Sequence, residues 1–218
     1  MGIDKKIMAK ALVQAIWLWA DERHNFPKGI NTKFDEDWFV SFIGDWKVAR
    51  TIKEGDKIKV FDLLRKRFFN PSGRLLSLKA KDIDDIADEL AKDGLTPLKR
   101  VPRSLVSKTA FFCSPDKFPP LDKFALKGKN QRRGGKRKTG KAFLKAPNYQ
   151  SFRTAWEVEY KKETDAIKRE CSKKKWKPIA ESFGVSFECL QKNSFAQKVF
   201  DNVLNFEAKG RDNSFWGG

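Results

Sequence analysis

The fold prediction starts from residues 101–110, which read Val101-Pro102-Arg103-Ser104-Leu105-Val106-Ser107-Lys108-Thr109-Ala110. Proline fixes its own φ and disfavours helix in the residue before it, so Val101-Pro102 predicts the entry to a short helix. Ser114-Pro115 and Phe118-Pro119-Pro120 then impose an extended bend, which leads to an isolated acid, Asp122. The segment therefore predicts a lysine-bearing helix, a bend and an aspartate at the start of the next helix.

The positive charge of the chain is concentrated around this segment. Lys and Arg outnumber Asp and Glu by 24 to 7 over residues 99–177, compared with 18 to 16 before them and 4 to 5 after them. Residues 127–147 alone carry nine basic residues, four glycines and no acid. Because such a footprint is matched by a polyanion, it indicates nucleic-acid binding.

Composition narrows the class of protein. With 218 residues and 40% hydrophobic content, the chain is long and apolar enough to bury a core. Three scattered cysteines and the single His24 argue against a zinc site, and we expect neither a metal nor a cofactor. Neither a secretory signal nor a membrane span is recognisable, so we expect a cytoplasmic protein, nucleoid-associated in a bacterium, with no membrane partner and a monomeric state.

Helical periodicity recurs along the chain, whereas period-2 alternation does not, so the predicted fold class is mainly α, a multi-helix bundle. Asp4 is the predicted N-cap of the first helix, and we expect this helix to be packed on most sides. Gly94 is the predicted C′ residue that follows the fourth helix. Inward positions of the third helix include Ile58 and Arg65. Predicted helices cover residues 4–24, 38–51, 56–69, 81–92, 100–112, 149–175, 178–183 and 194–206.

We divide the chain into three parts on this basis. Residues 1–126 are a helical core containing the hairpin-like segment 100–112. Residues 127–147 form a basic flexible loop, because a glycine-rich stretch without acids is typical of solvated chain. Residues 148–218 form C-terminal helices that pack on the core.

The motif order resembles that of the helix-hairpin-helix DNA glycosylase superfamily over residues 34–126. In that family a hairpin reading leucine-proline-glycine-x-glycine precedes a lysine-threonine-alanine helix, and an essential aspartate follows at a helix N-terminus. Val101-Pro102, Lys108-Thr109-Ala110 and Leu121-Asp122 match these three features in order. The hairpin glycines are replaced by Arg103-Ser104-Leu105, and the iron–sulfur cysteines of some members are missing.

The resemblance implies a DNA glycosylase-like enzyme that acts on a base flipped out of duplex DNA. Asp122 would stabilise the oxocarbenium-like transition state and orient water, and Lys108 would attack the sugar if the enzyme also has lyase activity. Trp38, Trp46 and Phe112 are the candidates for stacking on the flipped base.

Each candidate also has a structural interpretation. Lys108 could be one more solvent-exposed lysine, Asp122 a helix cap and the tryptophans core residues. The alternatives to an enzyme are a non-catalytic protein that binds DNA or RNA by its structure, and a toxin or phage-defence factor that acts on RNA. In all three cases the basic residues contact nucleic acid, with DNA favoured over RNA: Arg103, Lys127, Lys129, Arg132, Arg133, Lys136, Arg137, Lys138 and Lys141.

Overall fold

The computed structural model describes residues 2–20, 34–45, 48–114, 117–121, 126 and 148–209. These residues are mainly helical and contain no strand, only an isolated antiparallel bridge between Phe69 and Leu75, so the mainly α prediction is confirmed. None of their helices combines the length and apolar character needed to cross a membrane. The α-helices are α1 (Lys5–Ala20), α2 (Glu36–Asp45), α3 (Lys57–Phe68), α4 (Ala80–Lys92), α5 (Arg103–Cys113), α6 (Tyr149–Cys171), α7 (Lys177–Ser182) and α8 (Asn193–Lys209).

The described residues group into two compact units. Residues 34–114 form one unit together with 117–120 and 148–150. Residues 2–20, 121, 126 and 151–209 form the other. This grouping differs from the predicted division into 1–126 and 148–218, because α1 packs against α8.

The unit formed by residues 34–120 and 148–150 has an aromatic core. Trp38 stacks on Phe42, with ring centroids 4.9 Å apart and an interplanar angle of 9°. Phe112 of α5 meets the edge of both rings, at centroid distances of 5.0 Å from Phe42 and 5.6 Å from Trp38. Offset and edge-to-face ring pairs of this kind add to the free energy gained by burial. Phe39 of α2 also contacts Phe61 of α3, with ring centroids 5.7 Å apart, so aromatic packing joins α2 to both α3 and α5.

A buried carboxylate joins three segments of the same unit. Asp84 of α4 accepts hydrogen bonds from Nε of Arg103 at 2.7 Å, from the Tyr149 N–H at 2.7 Å and from the Gln150 N–H at 3.2 Å. A carboxylate suits this place because the first N–H groups of a helix lack intrahelical partners and carry partial positive charge. We call Asp84, Arg103 and these two N–H groups the Asp84 clamp.

The other unit is built around α8, whose residues from Ser194 to Leu204 are all buried. Phe200 of α8 meets the edge of Trp156 on α6, and Phe195 meets Trp19 on α1. The side-chain amide of Asn202 donates to the backbone carbonyl of Ala11 at 3.1 Å, which ties α8 to α1. The predicted inward face of α6 is confirmed, because these side chains are buried: Phe152, Trp156, Tyr160 and Ile167.

Cap residues are predicted correctly. Asp4 accepts hydrogen bonds from the N–H groups of Lys6 and Ile7, at 2.8 and 3.1 Å. After α4, Gly94 adopts φ +70°, and the Leu95 N–H donates to the Leu90 carbonyl at 3.1 Å. Glycine takes this left-handed conformation without a Cβ clash, which closes the helix.

Several predicted faces and boundaries are wrong. α1 is not packed on most sides, because Val13 and Trp17 are 40% and 48% exposed. Ile58 and Arg65 lie outward on α3, whose buried face is centred on Phe61 and Leu64. α2 ends at Asp45 instead of residue 51, since the Val48 N–H donates back to the Ile43 carbonyl and a 3-10 turn follows.

Loss of the Asp84 clamp is expected to destabilise the protein. Asp84→Ala leaves Nε of Arg103 and two helix N–H groups without their acceptor, and should lower the free energy of unfolding by about 2–4 kcal/mol. Asp85→Ala, at an exposed position one residue away, is the matched control and should change it by less than about 0.5 kcal/mol. Urea unfolding measures both, and equal losses would show that the clamp is not the cause.

Candidate nucleic-acid interface

The predicted site residues fall into two groups. Asp122 and Trp46 lie outside the described residues, and so do all the predicted contacts in the loop: Lys127, Lys129, Arg132, Arg133, Lys136, Arg137, Lys138 and Lys141. Their roles stay predictions. Lys108, Arg103, Trp38 and Phe112 are described.

Lys108 lies on the most accessible side of α5. Seven of the residues of this helix are buried, including the neighbours Ser107 and Thr109. Arg103, Ser104, Lys108 and Cys113 are the partly exposed positions. Ser104 and Lys108 are one turn apart, so they share a face. Lys108 is thus a partly desolvated lysine at the edge of a packed helix, which is compatible with either a nucleophile or a surface lysine.

Arg103 has structural partners. Besides the 2.7 Å bond to Asp84, one terminal nitrogen of its guanidinium lies 3.5 Å from Oδ1 of Asp88, and the side chain is 20% exposed. A phosphate contact would have to compete with these carboxylates. The geometry therefore favours a role for Arg103 in holding α4, α5 and the start of α6 together.

Trp38 and Phe112 belong to the aromatic core described above. Phe112 is 5% exposed, and one face of the Trp38 indole is covered by Phe42. A base could stack on Phe112 only if this core opened, whereas Trp38 is partly exposed. The structural interpretation of these two residues is therefore the one that the packing favours.

The described part of residues 99–177 contains a dense cationic surface. The motif analysis of the sequence did not identify it. Residues 168–177, which we call the basic turn, comprise the end of α6, a 3-10 turn (Lys174–Trp176) and the first residue of α7. They include one acid, Glu170. The basic residues are all exposed: Lys168, Arg169, Lys173, Lys174, Lys175 and Lys177.

Glu170 organises the basic turn. Its carboxylate accepts hydrogen bonds from Nζ of Lys173 at 2.6 Å and from Nε1 of Trp176 at 3.1 Å, and it lies 2.8 Å from Nζ of Lys175. Partial burial alone would raise the pKa of Glu170, but these three partners outweigh it and lower the pKa to about 2. Nζ of Lys175 also lies 4.8 Å from the centroid of the Trp176 ring, a cation–π geometry.

The same carboxylate explains why α6 is shorter than predicted. The sequence predicts helix to residue 175, but α6 ends at Cys171 and the chain turns back so that Lys173, Lys175 and Trp176 reach Glu170. One acid thereby fixes a surface with five more positive than negative charges within ten residues. Such a surface can bind a polyanion without first ordering a flexible chain.

A row of buried polar side chains on α8 was also missed by the sequence analysis. Lys198 and Asp201 are each 4% exposed and form an ion pair at 3.3 Å. Polar residues three or four positions apart within an otherwise apolar helix are the signal that would have identified this row. Its other members are Ser194, Gln197 and Asn202.

Thiol and metal chemistry find little support in the part of the chain that is described. Cys113 is partly exposed, but desolvation of its sulfur by the surrounding side chains raises the pKa of the thiol, and burial raises the pKa of the Cys171 thiol to about 12, so both are protonated at neutral pH. Within the described ranges no three His, Cys, Asp or Glu side chains are grouped so that they could hold a metal ion.

The low pKa of Glu170 predicts a pH-dependent contribution to stability. A carboxyl whose pKa is lowered by folding stabilises the protein above its unfolded pKa, here about 4.5, and loses that contribution as the pH falls towards 2. Glu170→Gln should therefore cost about 1–2 kcal/mol at pH 7. The difference from the unaltered protein should shrink steadily below pH 4.5.

Thermal unfolding at pH 7, 4 and 2.5 measures this difference. Glu181→Gln is the control, because the side chain of Glu181 is 52% exposed and lies 3.8 Å from Lys177. A Glu170→Gln deficit that is the same at all three pH values would contradict the assignment.

Comparison with known proteins gives no independent indication of function. No family model matches the chain, and neither the curated proteins nor the solved structures contain a significant match to it. The function is therefore inferred from the geometry and charge of the described residues.

Proposed function

We propose that this protein binds nucleic acid and that the basic turn, residues 168–177, is part of its interface. The observation that carries the proposal is the arrangement around Glu170, in which a single acid holds a short, exposed and strongly cationic turn in place. Charge that served only solubility would need no such organisation.

The spacing of the basic residues in the basic turn, and the further basic residues earlier in the chain, also favour a long polyanion as the partner. The exposed lysines and arginine of the basic turn follow one another over ten residues, and residues 127–147 add nine basic residues without an acid. A small anion would be satisfied by two or three cations, whereas a phosphate backbone presents a negative charge every few ångströms. DNA or RNA is therefore the class of partner that suits the charge best.

The salt dependence of binding tests this proposal. Each phosphate contact contributes about −0.9 to the slope of log K against log salt for duplex DNA. Lys174→Ala combined with Lys177→Ala should weaken binding and make the slope less negative by about 2. Fluorescence anisotropy with a labelled duplex between 50 and 200 mM salt measures both quantities.

The matched control removes two exposed lysines elsewhere, Lys57 and Lys66 on α3. This double variant has the same net charge as the first and should keep nearly the full slope. Equal effects of the two double variants would mean that only total charge matters. Binding of the unaltered protein that barely responds to salt would contradict the proposal altogether.

Base excision is a second candidate function, favoured by the position of Lys108. The lysine is partly exposed between buried neighbours on α5, the helix that carries the resemblance to helix-hairpin-helix glycosylases. The amine of a lysine at such a position can attack a sugar carbon to form a Schiff base. In this proposal Asp122 supplies the carboxylate that stabilises the developing positive charge on the sugar.

The catalytic proposal predicts that Asp122→Asn abolishes base release and leaves DNA affinity within a few-fold. Asparagine keeps the size and most of the capping capacity of aspartate but lacks its charge. Base release from damaged duplexes and binding by anisotropy measure the two effects. A variant that unfolds would show that Asp122 is structural.

Borohydride trapping decides the role of Lys108. A covalent adduct that Lys108→Ala prevents would identify Lys108 as a Schiff-base nucleophile. Base release without any adduct would assign the attack to water, with Asp122 sufficient, and this is the outcome we expect. Absence of base release on all substrates would leave nucleic-acid binding as the function.

A further inference from the structure

An exposed apolar groove lies in the unit that contains the basic turn. It has a volume of about 650 Å³ and is lined by α1, by the end of α7 and by α8. Trp17 of α1 and Phe183 after α7 contribute its aromatic walls, with 48% and 43% of their surfaces exposed. Val13 and Phe206 add further apolar surface, and Lys10 lies at the rim.

The exposed aromatic rings distinguish this groove from the aromatic core of the other unit. Phe112 is 5% exposed in that core, whereas Trp17 and Phe183 each leave nearly half of their surface open to a ligand. Aromatic side chains with open faces are the platforms on which unpaired bases stack, because every base has a π-face whatever its sequence.

Cationic residues of α1 adjoin the groove. Lys6, Lys10, Val13 and Trp17 follow one another at spacings of four, three and four residues, so they form one stripe along α1. Charge for a phosphate backbone therefore adjoins the rings that would hold its bases.

We propose that this groove binds unpaired nucleobases of single-stranded nucleic acid, which stack on Trp17 and Phe183 while the backbone follows the neighbouring lysines. The inference rests on the proposed nucleic-acid binding and adds a subsite and a preference for unpaired bases. Each stacked base is expected to contribute a factor of about 5 to 100 in affinity.

Charge argues against two other occupants. A second copy of this chain would bring another +18 formal charges to the lysines beside the groove. Residues 210–218 offer an aromatic pair, Phe215-Trp216, but carry one arginine and one aspartate and so have no net charge to complement these lysines. A phosphate backbone with unpaired bases complements both the rings and the charge.

The test uses the full chain and two single strands of about 12 nucleotides with equal charge, one carrying bases and the other abasic throughout. Trp17→Ala and Phe183→Ala should each weaken binding of the base-containing strand about 5- to 100-fold and leave the abasic strand unchanged within about twofold. Trp17→Phe should retain most of the affinity, because it keeps a ring. Ile58→Ala, which removes an exposed apolar residue of the other unit, is the control and should change neither.

The outcomes separate this inference from the proposed function. If the unaltered protein binds neither strand nor a labelled duplex at low salt, the proposed function itself fails, whereas binding of the duplex alone overturns only the groove inference. If it binds both strands equally and the ring variants change nothing, nucleic-acid binding stands and the groove inference is overturned. Equal losses on both strands, or a change in oligomeric state without a change in base preference, would also overturn it.

Photocrosslinking of the unaltered protein removes any dependence on variant folding. A single strand containing 5-bromouracil should crosslink to peptides that contain Trp17 or Phe183. Crosslinks found only in other peptides would overturn the inference.

Discussion

The Asp84 carboxylate is the interaction on which one unit and the start of α6 depend. It accepts three hydrogen bonds from groups that are far apart in the chain, 19, 65 and 66 residues away. Each of these donors would cost free energy if it were buried without an acceptor. The carboxylate therefore fixes α4 against α5 and, at the same time, the first turn of α6, the helix that ends in the basic turn.

Glu170 holds the basic turn together, as Asp84 holds together the groups of the Asp84 clamp: in each case several donors bind one carboxylate. Two lysines and an indole N–H converge on its carboxylate, which offsets part of the repulsion among six neighbouring cations. An exposed ion pair contributes little by itself, but three partners on one partly buried acid hold the backbone of the turn in one conformation. The remaining cations are exposed to solvent on a backbone of fixed conformation. A fixed backbone would lower the entropic cost of binding a phosphate backbone.

The sequence predicts the helices well and their pairing poorly. Caps such as Asp4 and Gly94 act locally, so their positions can be read from neighbouring residues. Long-range pairs such as Asp84 with Arg103 leave no local pattern, so the sequence did not indicate this pairing, and the nucleic-acid contact of Arg103 stays a prediction. Trp17 shows the converse, because an apolar residue within an apolar helix gives no sign of which side faces solvent.

The charge pattern predicts a class of partner, but it does not predict which surface would bind it. Counting charges marked residues 99–177, and the structure resolves within this range one turn whose lysines are organised by Glu170. That organisation depends on the end of α6 at Cys171, which periodicity placed four residues too late. The contributions of Asp122 and of residues 127–147 stay predictions from sequence.

Lysine footprinting tests the central claim most directly, because it reads each lysine of the unaltered protein separately. The protein is acetylated briefly with and without a saturating duplex or single strand, and the modification of each lysine is quantified by mass spectrometry. Nucleic-acid binding through the basic turn predicts strong protection of Lys173, Lys174 and Lys177, with Lys57 and Lys66 modified equally in both samples. Protection that spares the basic turn, or that is equal at all exposed lysines, would contradict this account.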